Sequence, residues 1–327
     1  MTLPASLESL DRRAMLALML ACGSGVSGRL AAQELPGAAQ APATPRRIPL
    51  WPSSPPGADG GPTGSERIDA KGALFHVTQP WLEMHVPERP SGAVVLVAGG
   101  GGYKRIAMAH EAEPAARWLA ARGVTAFVLA YRLPADGWRD GPMAPLQDAQ
   151  RAIRLVRSMM SVDGREPPHV GLLGFSAGGH LMGMAATCPD WRTSPAADAI
   201  DEQPAHVDSA ALIYPVITLQ PPFDHTSTRQ SLIGRDPAAG DAARWSVQTH
   251  VSASTPPMLL VQAEDDPVSN LANTLIMADA CQKADVPCEL HRLLAGGHGF
   301  GMGRAGTSSA AWPAWYAEWL QRRGFIS

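Results

Sequence analysis

A serine framed by glycines, Gly174-Phe175-Ser176-Ala177-Gly178, follows the apolar run Val170–Phe175 and precedes the helix-forming stretch Gly179-His180-Leu181-Met182. A serine on a tight strand-to-helix turn needs small neighbours, so that the strained backbone can approach both elements. The turn lifts the hydroxyl above the sheet and lays a helix N-terminus beneath any oxyanion that forms there. Ser176 is therefore the candidate nucleophile.

A serine hydroxyl reacts slowly without a base in hydrogen-bond reach. Of the ten histidines, His298 lies in Gly296-Gly297-His298-Gly299-Phe300-Gly301, just after the last expected strand, where glycines let a loop bring the imidazole back over the sheet. His180, one turn past Ser176, reads as packing. His110 and His225 fall in loops and are candidates for the pocket wall. The acidic pair Asp265-Asp266 follows Met258–Glu264, a strand pattern, and the chain order Ser176, Asp265, His298 suits a carboxylate that orients the imidazole. Glu111, Asp148 and Asp224 fit that role less well, and Asp148 reads as a structural acid near a helix start. Gly99–Gly102, at the end of the run Ala93–Ala98, supplies a loop whose backbone can approach a carbonyl oxygen. Gly100 and Gly101 are the expected oxyanion donors, with the Ala177 N–H as the other. No Lys-Ser/Thr pair follows the glycine run, and the dinucleotide context is missing, so a phosphate cradle is disfavoured.

The elements that must position these groups follow from hydrophobic period. Ala93–Ala98, Thr125–Ala130, Val170–Phe175, Ala210–Tyr214 and Met258–Gln262 are continuous apolar runs of the length of buried strands, and Cys288–Leu293 completes the set. Leu74–Val77 and Leu82–Val86 alternate and are expected to form an opening antiparallel pair. Helical stripes fall at 112–122, 146–160, 177–187, 268–285 and 309–323. Alternating strands and helices argue an α/β fold: a mostly parallel central sheet of about eight strands with helices on both faces. The stretch 217–256 is the longest irregular region and the only room for a cap.

The chain has 327 residues, which allows one large α/β domain or two small ones. A formal charge of −3 without a basic block argues against nucleic acid. The four cysteines have no C-x-x-C spacing and stand apart from clustered histidines, so no metal site is expected. Cys281 and Cys288 are expected to be close in space, able to bond in an oxidising compartment. Arg12-Arg13 followed by the apolar run Ala14–Ala21 reads as a twin-arginine-like export signal, too short to span a bilayer. Met19-Leu20-Ala21 before Cys22 is a poor lipoprotein motif. The expected organisation is a leader over 1–35, a Pro/Gly/Ala-rich linker or arm over 36–65, and a catalytic domain over 66–327. The mature protein would be periplasmic or secreted, without an integral membrane span.

Taken together, the motifs resemble a known family. Leu50-Trp51-Pro52, Gly99–Tyr103 with His110-Glu111, Ala126–Leu133, Asp148–Leu155, Gly174–Leu181, Thr255-Pro256-Pro257 before Asp265-Asp266, and Gly296–Phe300 are similar to the α/β-hydrolases that include acetyl-xylan esterases and feruloyl-esterase-like (BD-FAE-like) hydrolases. The resemblance covers roughly residues 49 to 320. It implies the α/β-hydrolase fold, a cofactor-free Ser-His-Asp triad of Ser176, His298 and Asp265, and hydrolysis of small-molecule or acylated-carbohydrate esters. The family pattern places the acid three residues before Val268, hence at Asp265 rather than Asp266. Tyr103, Trp138, Tyr214 and His225 are expected at the substrate. A feruloyl esterase, an oligopeptidase-type serine peptidase and a non-catalytic binding module are the rival readings. The peptidase class usually adds a propeller domain, for which this chain has no room.

Overall fold

The computed structural model describes residues 47–161, 167 and 169–326. The expected export signal over 1–35 lies outside the described residues, as does 36–46 of the expected arm. Eleven strands are described: β1 Arg47–Pro49, β2 Arg67–Ile68, β3 Ala73–Phe75, β4 Trp81–His85, β5 Val94–Ala98, β6 Ile106–Ala107, β7 Thr125–Ala130, β8 Val170–Phe175, β9 Ser209–Ile213, β10 Met258–Ala263 and β11 Cys288–Leu293. Eight of them form one sheet in the order β1-β4-β7-β5-β8-β9-β10-β11. Neighbours from β7 onward run parallel, whereas β4 is antiparallel to both β1 and β7. Every residue of β5, β7, β8, β9 and β10 is buried. That is why these strands read as unbroken apolar runs: helices cover both faces, and no alternation is needed.

The helices are α1 Glu113–Ala120, α2 Met143–Met160, α3 Ala177–Thr187, α4 Ser227–Ile233, α5 Asp241–Arg244, α6 Ala272–Lys283 and α7 Trp312–Arg322. They fall within a few residues of the expected stripes, with α4 and α5 added inside the irregular stretch 217–256. That stretch packs onto the body: Leu219, Leu232, Trp245 and Val247 are buried.

The expected pairing of Leu74–Val77 with Leu82–Val86 does not form. β3 belongs to a small three-stranded sheet with β2 and β6, while β4 joins the main sheet. His76 sits between them at φ 56°, a left-handed residue that turns the chain out of the strand before it could fold back as a hairpin. The boundary expected at residue 66 is also too late. β1 starts at Arg47, Leu50 and Trp51 are buried, and the Trp51 indole donates to Asp148 at 2.9 Å. Asp148 is a structural acid: buried on α2, it holds the equally buried Arg132 through Nε at 3.0 Å and Nη2 at 2.9 Å, and accepts the Arg132 N–H at 2.9 Å. Removing one member of such a pair strands the other charge in the interior, at a cost of about 3–5 kcal/mol.

Candidate active site

β8 ends at Phe175 and α3 begins at Ala177, so Ser176 alone makes the turn, at φ 51° and ψ −117°. A side chain there would normally relax out of that conformation. Three contacts hold it: Ser176 N–H donates to the Ile213 carbonyl at 2.9 Å, and its own carbonyl accepts from His180 N–H at 3.0 Å and Val216 N–H at 3.3 Å. The flanking glycines are required by close approach. A Cβ on Gly178 would strike the carbonyl oxygens of Ala98 and Gly99, and one on Gly174 would strike the Gly178 carbonyl. The motif therefore presses α3 against the end of β5, where the glycine loop begins.

His298 arrives from the loop after β11, with Gly297, Gly299 and Gly301 all at positive φ. Its Nε2 lies 2.8 Å from Ser176 Oγ, and its Nδ1 lies 2.7 Å from Asp266 Oδ2. A carboxylate on Nδ1 fixes the proton there and leaves Nε2 free to accept from the serine. Two further contacts brace the loop: His110 Nε2 lies 2.8 Å from the Gly299 carbonyl, and Arg304 Nη2 donates to the same oxygen at 3.2 Å.

The carboxylate that meets His298 is that of Asp266, not that of the expected Asp265. The Asp266 carboxylate is fully enclosed. Oδ2 meets His298 and accepts from Gln262 Nε2 at 2.8 Å, while Oδ1 accepts the Val268 and Ser269 N–H groups at 2.8 and 2.9 Å. Asp265 points the other way, into solvent, and its Oδ1 accepts the Gly296 and Gly297 N–H groups at 2.8 Å each. Those donors, Gly297 first, hold its pKa below the usual carboxylate value. Successive side chains at the end of an extended strand project to opposite sides, and β10 turns its second aspartate toward the histidine.

The glycine loop also departs from expectation at one residue. Gly100 N–H is donated to the buried Glu111 carboxylate at 2.6 Å, so it is not free to meet a substrate oxygen. Among the described residues, the N–H groups of Gly101, Gly102 and Ala177 are not donated to another protein atom. Of the three expected donors, the Gly101 and Ala177 N–H groups are thus open and that of Gly100 is engaged, while the neighbouring Gly102 N–H is open as well. Gly102 carries φ 65° and abuts Ser227, the first residue of α4.

Of the four residues expected at the substrate, three are interior. Tyr103 is buried with its hydroxyl 2.9 Å from His180 Nδ1. Tyr214 is buried with its hydroxyl donating to Glu111 at 2.9 Å. Trp138 is buried against Gly61, and its backbone bridges to Gly60. Each ring fills core while its strand or loop directs it inward. His225 is open to solvent, 3.6 Å from Asp224. The sequence offers Glu111 only as a weaker candidate for the triad acid, and its place beside His110, downstream of the glycine run, is the signal it gives for a role at the site. Among the described residues, no group of three His, Cys, Asp or Glu side chains is placed to hold a metal. Cys281 and Cys288 are free thiols in contact with each other.

The chain matches the family model BD-FAE over residues 82–280. It is 33% identical to the acetylxylan esterase of Xylanibacter ruminicola over 224 residues, 67% of this chain and 43% of that protein. It is 32% identical to endo-1,4-beta-xylanase B of Butyrivibrio fibrisolvens over 63% of this chain and 32% of that protein. The chain thus spans less than half the length of these curated relatives. Among solved structures, the acetyl ester-xyloside bifunctional hydrolase of Caldicellulosiruptor lactoaceticus superposes with a TM-score of 0.73 at 32% identity, covering 88% of this chain and 100% of that one.

Proposed function

Because the chain belongs to the BD-FAE family, we propose that it is a serine carboxylesterase whose Ser176 site removes short acyl groups, acetyl above all, from carbohydrate. The observation that carries this reading is the hydrogen-bonded series Ser176 Oγ, His298 Nε2, His298 Nδ1 and Asp266 Oδ2, at 2.8 and 2.7 Å. Ser176 Oγ attacks the ester carbonyl while His298 takes its proton, and Asp266 stabilises the imidazolium. Negative charge on the carbonyl oxygen is met by the N–H groups of Gly101, Gly102 and Ala177, the last at the positive end of α3. His298 returns the proton to the departing alcohol. Water, deprotonated by the same imidazole, then releases the acid from the acyl-enzyme. The acetylxylan esterase of X. ruminicola and the acetyl ester-xyloside hydrolase of C. lactoaceticus support the acetyl and carbohydrate assignments.

Short chains are favoured because α4 closes against the glycine loop at Gly102, and the rest of 217–256 is packed down rather than raised as an apolar lid. The test is a series of nitrophenyl esters of graded length, run beside acetylated xylan. kcat/KM falls steeply from acetyl to octanoyl, since each poorly fitting methylene costs about 1–3 kcal/mol. Octanoyl as the best substrate would refute the small pocket. We read residues 1–35 as an export signal, which cell fractionation tests: the protein is recovered outside the cytoplasm, and a purely cytoplasmic pool overturns it.

A further inference from the structure

Among the described residues, Glu111 is the one buried carboxylate at the site that the triad does not use. It lies in a single π-helical turn, Met108–Ala112, and is 4% exposed. Burying a carboxylate carries a desolvation cost that only specific hydrogen bonds offset. Burial accordingly pushes its pKa up, while Gly100 N–H, the Tyr214 hydroxyl and attraction to His298 pull it back. An apolar side chain would fill the same space without that cost, so the two hydrogen bonds are what the position provides.

Both bonds lead to catalytic loops. Oε2 accepts Gly100 N–H at 2.6 Å, and Oε1 accepts the Tyr214 hydroxyl at 2.9 Å. The Tyr214 oxygen in turn accepts Gly301 N–H at 3.0 Å, three residues past His298. The Tyr214 ring stands edge-on to His298 at 5.0 Å and to Phe300 at 4.4 Å. Gly100 leaves no slack either: a Cβ there would come within 2.7 Å of both the Phe175 carbonyl and Ser176 Cβ. Glu111 thus touches, directly or through one tyrosine, the glycine loop seated on the nucleophile and the loop that carries the base. Its neighbour His110 grips the histidine loop a second time, at the Gly299 carbonyl.

We propose that Glu111 is a positioning residue for ester hydrolysis, its carboxylate fixing the glycine loop through Gly100 and the histidine loop through Tyr214. By taking the Gly100 N–H it turns the following N–H groups, those of Gly101 and Gly102, toward the reacting carbonyl. By holding Tyr214 it sets where the imidazole ring lies above Ser176. Its negative charge adds to that of Asp266 when His298 carries the proton. The inference rests on the esterase reading of Ser176 and His298.

Four variants of the full chain test it with nitrophenyl acetate: Ser176→Ala, Glu111→Ala, Glu111→Gln and Tyr214→Phe, each with a thermal melt. Loss of oxyanion alignment appears in kcat, not KM. Glu111→Ala therefore lowers kcat by about 10²-fold or more, the scale of a lost oxyanion donor, with KM held within about threefold. Glu111→Gln keeps an acceptor for Gly100 and recovers at least about tenfold of that loss, and Tyr214→Phe lowers kcat by about tenfold. Glu111→Ala with kcat within threefold of wild type overturns the proposal, as does a loss confined to KM. If Glu111→Ala does not fold, Glu111→Gln and Tyr214→Phe decide: both at wild-type kcat overturn it, and both reduced at an unchanged melting temperature support it. Ser176→Ala separates the two readings. If it is inactive while the Glu111 variants keep their kcat, the esterase site stands and the positioning role falls. If Ser176→Ala itself retains turnover, both fall.

Discussion

Asp265 and Asp266 carry the same side chain one peptide apart, and the molecule gives them unrelated tasks. Asp266, enclosed and accepting four hydrogen bonds, orients His298, whereas Asp265 caps the two glycines that begin the histidine loop. Asp266→Asn presents an amide to Nδ1 and favours the wrong tautomer, so kcat falls by about 10³–10⁴-fold. Asp265→Asn keeps kcat within about tenfold, because loop donors lose charge but not an acceptor. Steady-state kinetics on the two variants check this, and a larger loss at Asp265 would reverse the assignment. At this scale the sequence displayed residue types well and directions poorly. Ser176 and His298 were legible because each sits in a glycine frame that only a sharp turn requires. The choice within the aspartate pair depended on which way one strand end twists. Tyr103 and Tyr214 looked like pocket residues, yet each spends its hydroxyl on a buried partner, a distinction that residue identity alone does not carry.

Among elements, the contact of α3 with the end of β5 sets the whole arrangement, since it brings the nucleophile turn and the glycine loop together. Gly178→Ala tests it. The added methyl would meet two backbone carbonyls, which cannot rotate away as a side chain would. Overpacking of this kind costs about 3 kcal/mol, and urea unfolding of the variant should show a loss of that order. A loss under about 0.5 kcal/mol would mean that the two elements have room to part. The central strands and long helices were legible because burial on both faces or along one stripe dictates their pattern. The π-helical turn and α4 were not. Each is less than ten residues long, and its conformation is imposed by what it grips: Glu111 by Gly100 and Tyr214, and Ser227 by the glycine loop.

Across the whole molecule, one buried histidine links distant segments and sets an acid limit. His180 on α3 donates from Nε2 to the Trp245 carbonyl at 2.7 Å, which leaves Nδ1 to accept from the Tyr103 hydroxyl at 2.9 Å. The bond from Tyr103 requires the neutral ring, because a protonated Nδ1 has no lone pair to accept it, and burial lowers the pKa from 6.5 to about 4. The unfolded chain binds this proton at higher pH than the folded one, so stability is full above pH 6.5 and is lost as pH falls toward about 4. That contribution, wild type minus His180→Gln, should decline by about 3 kcal/mol across the window, as followed by urea unfolding at successive pH values. A flat difference would mean that the ring is already charged in the native state. The domain's extent was misjudged because a three-residue strand ending in Pro49 gives almost no periodic signal, and the Pro/Gly composition of 36–65 resembles a tether. Yet β1 lies beside β4 along its length, from Arg47 opposite Glu83 to Pro49 opposite Trp81. It therefore acts as a fender. Without it, β4 would present an open row of N–H and C=O groups to any other chain, whereas a short outermost strand bearing a proline invites no partner. A shortened protein beginning at Ser65 should self-associate on size exclusion while one beginning at Pro45 elutes like the full chain, and identical elution would show that β4 needs no such guard.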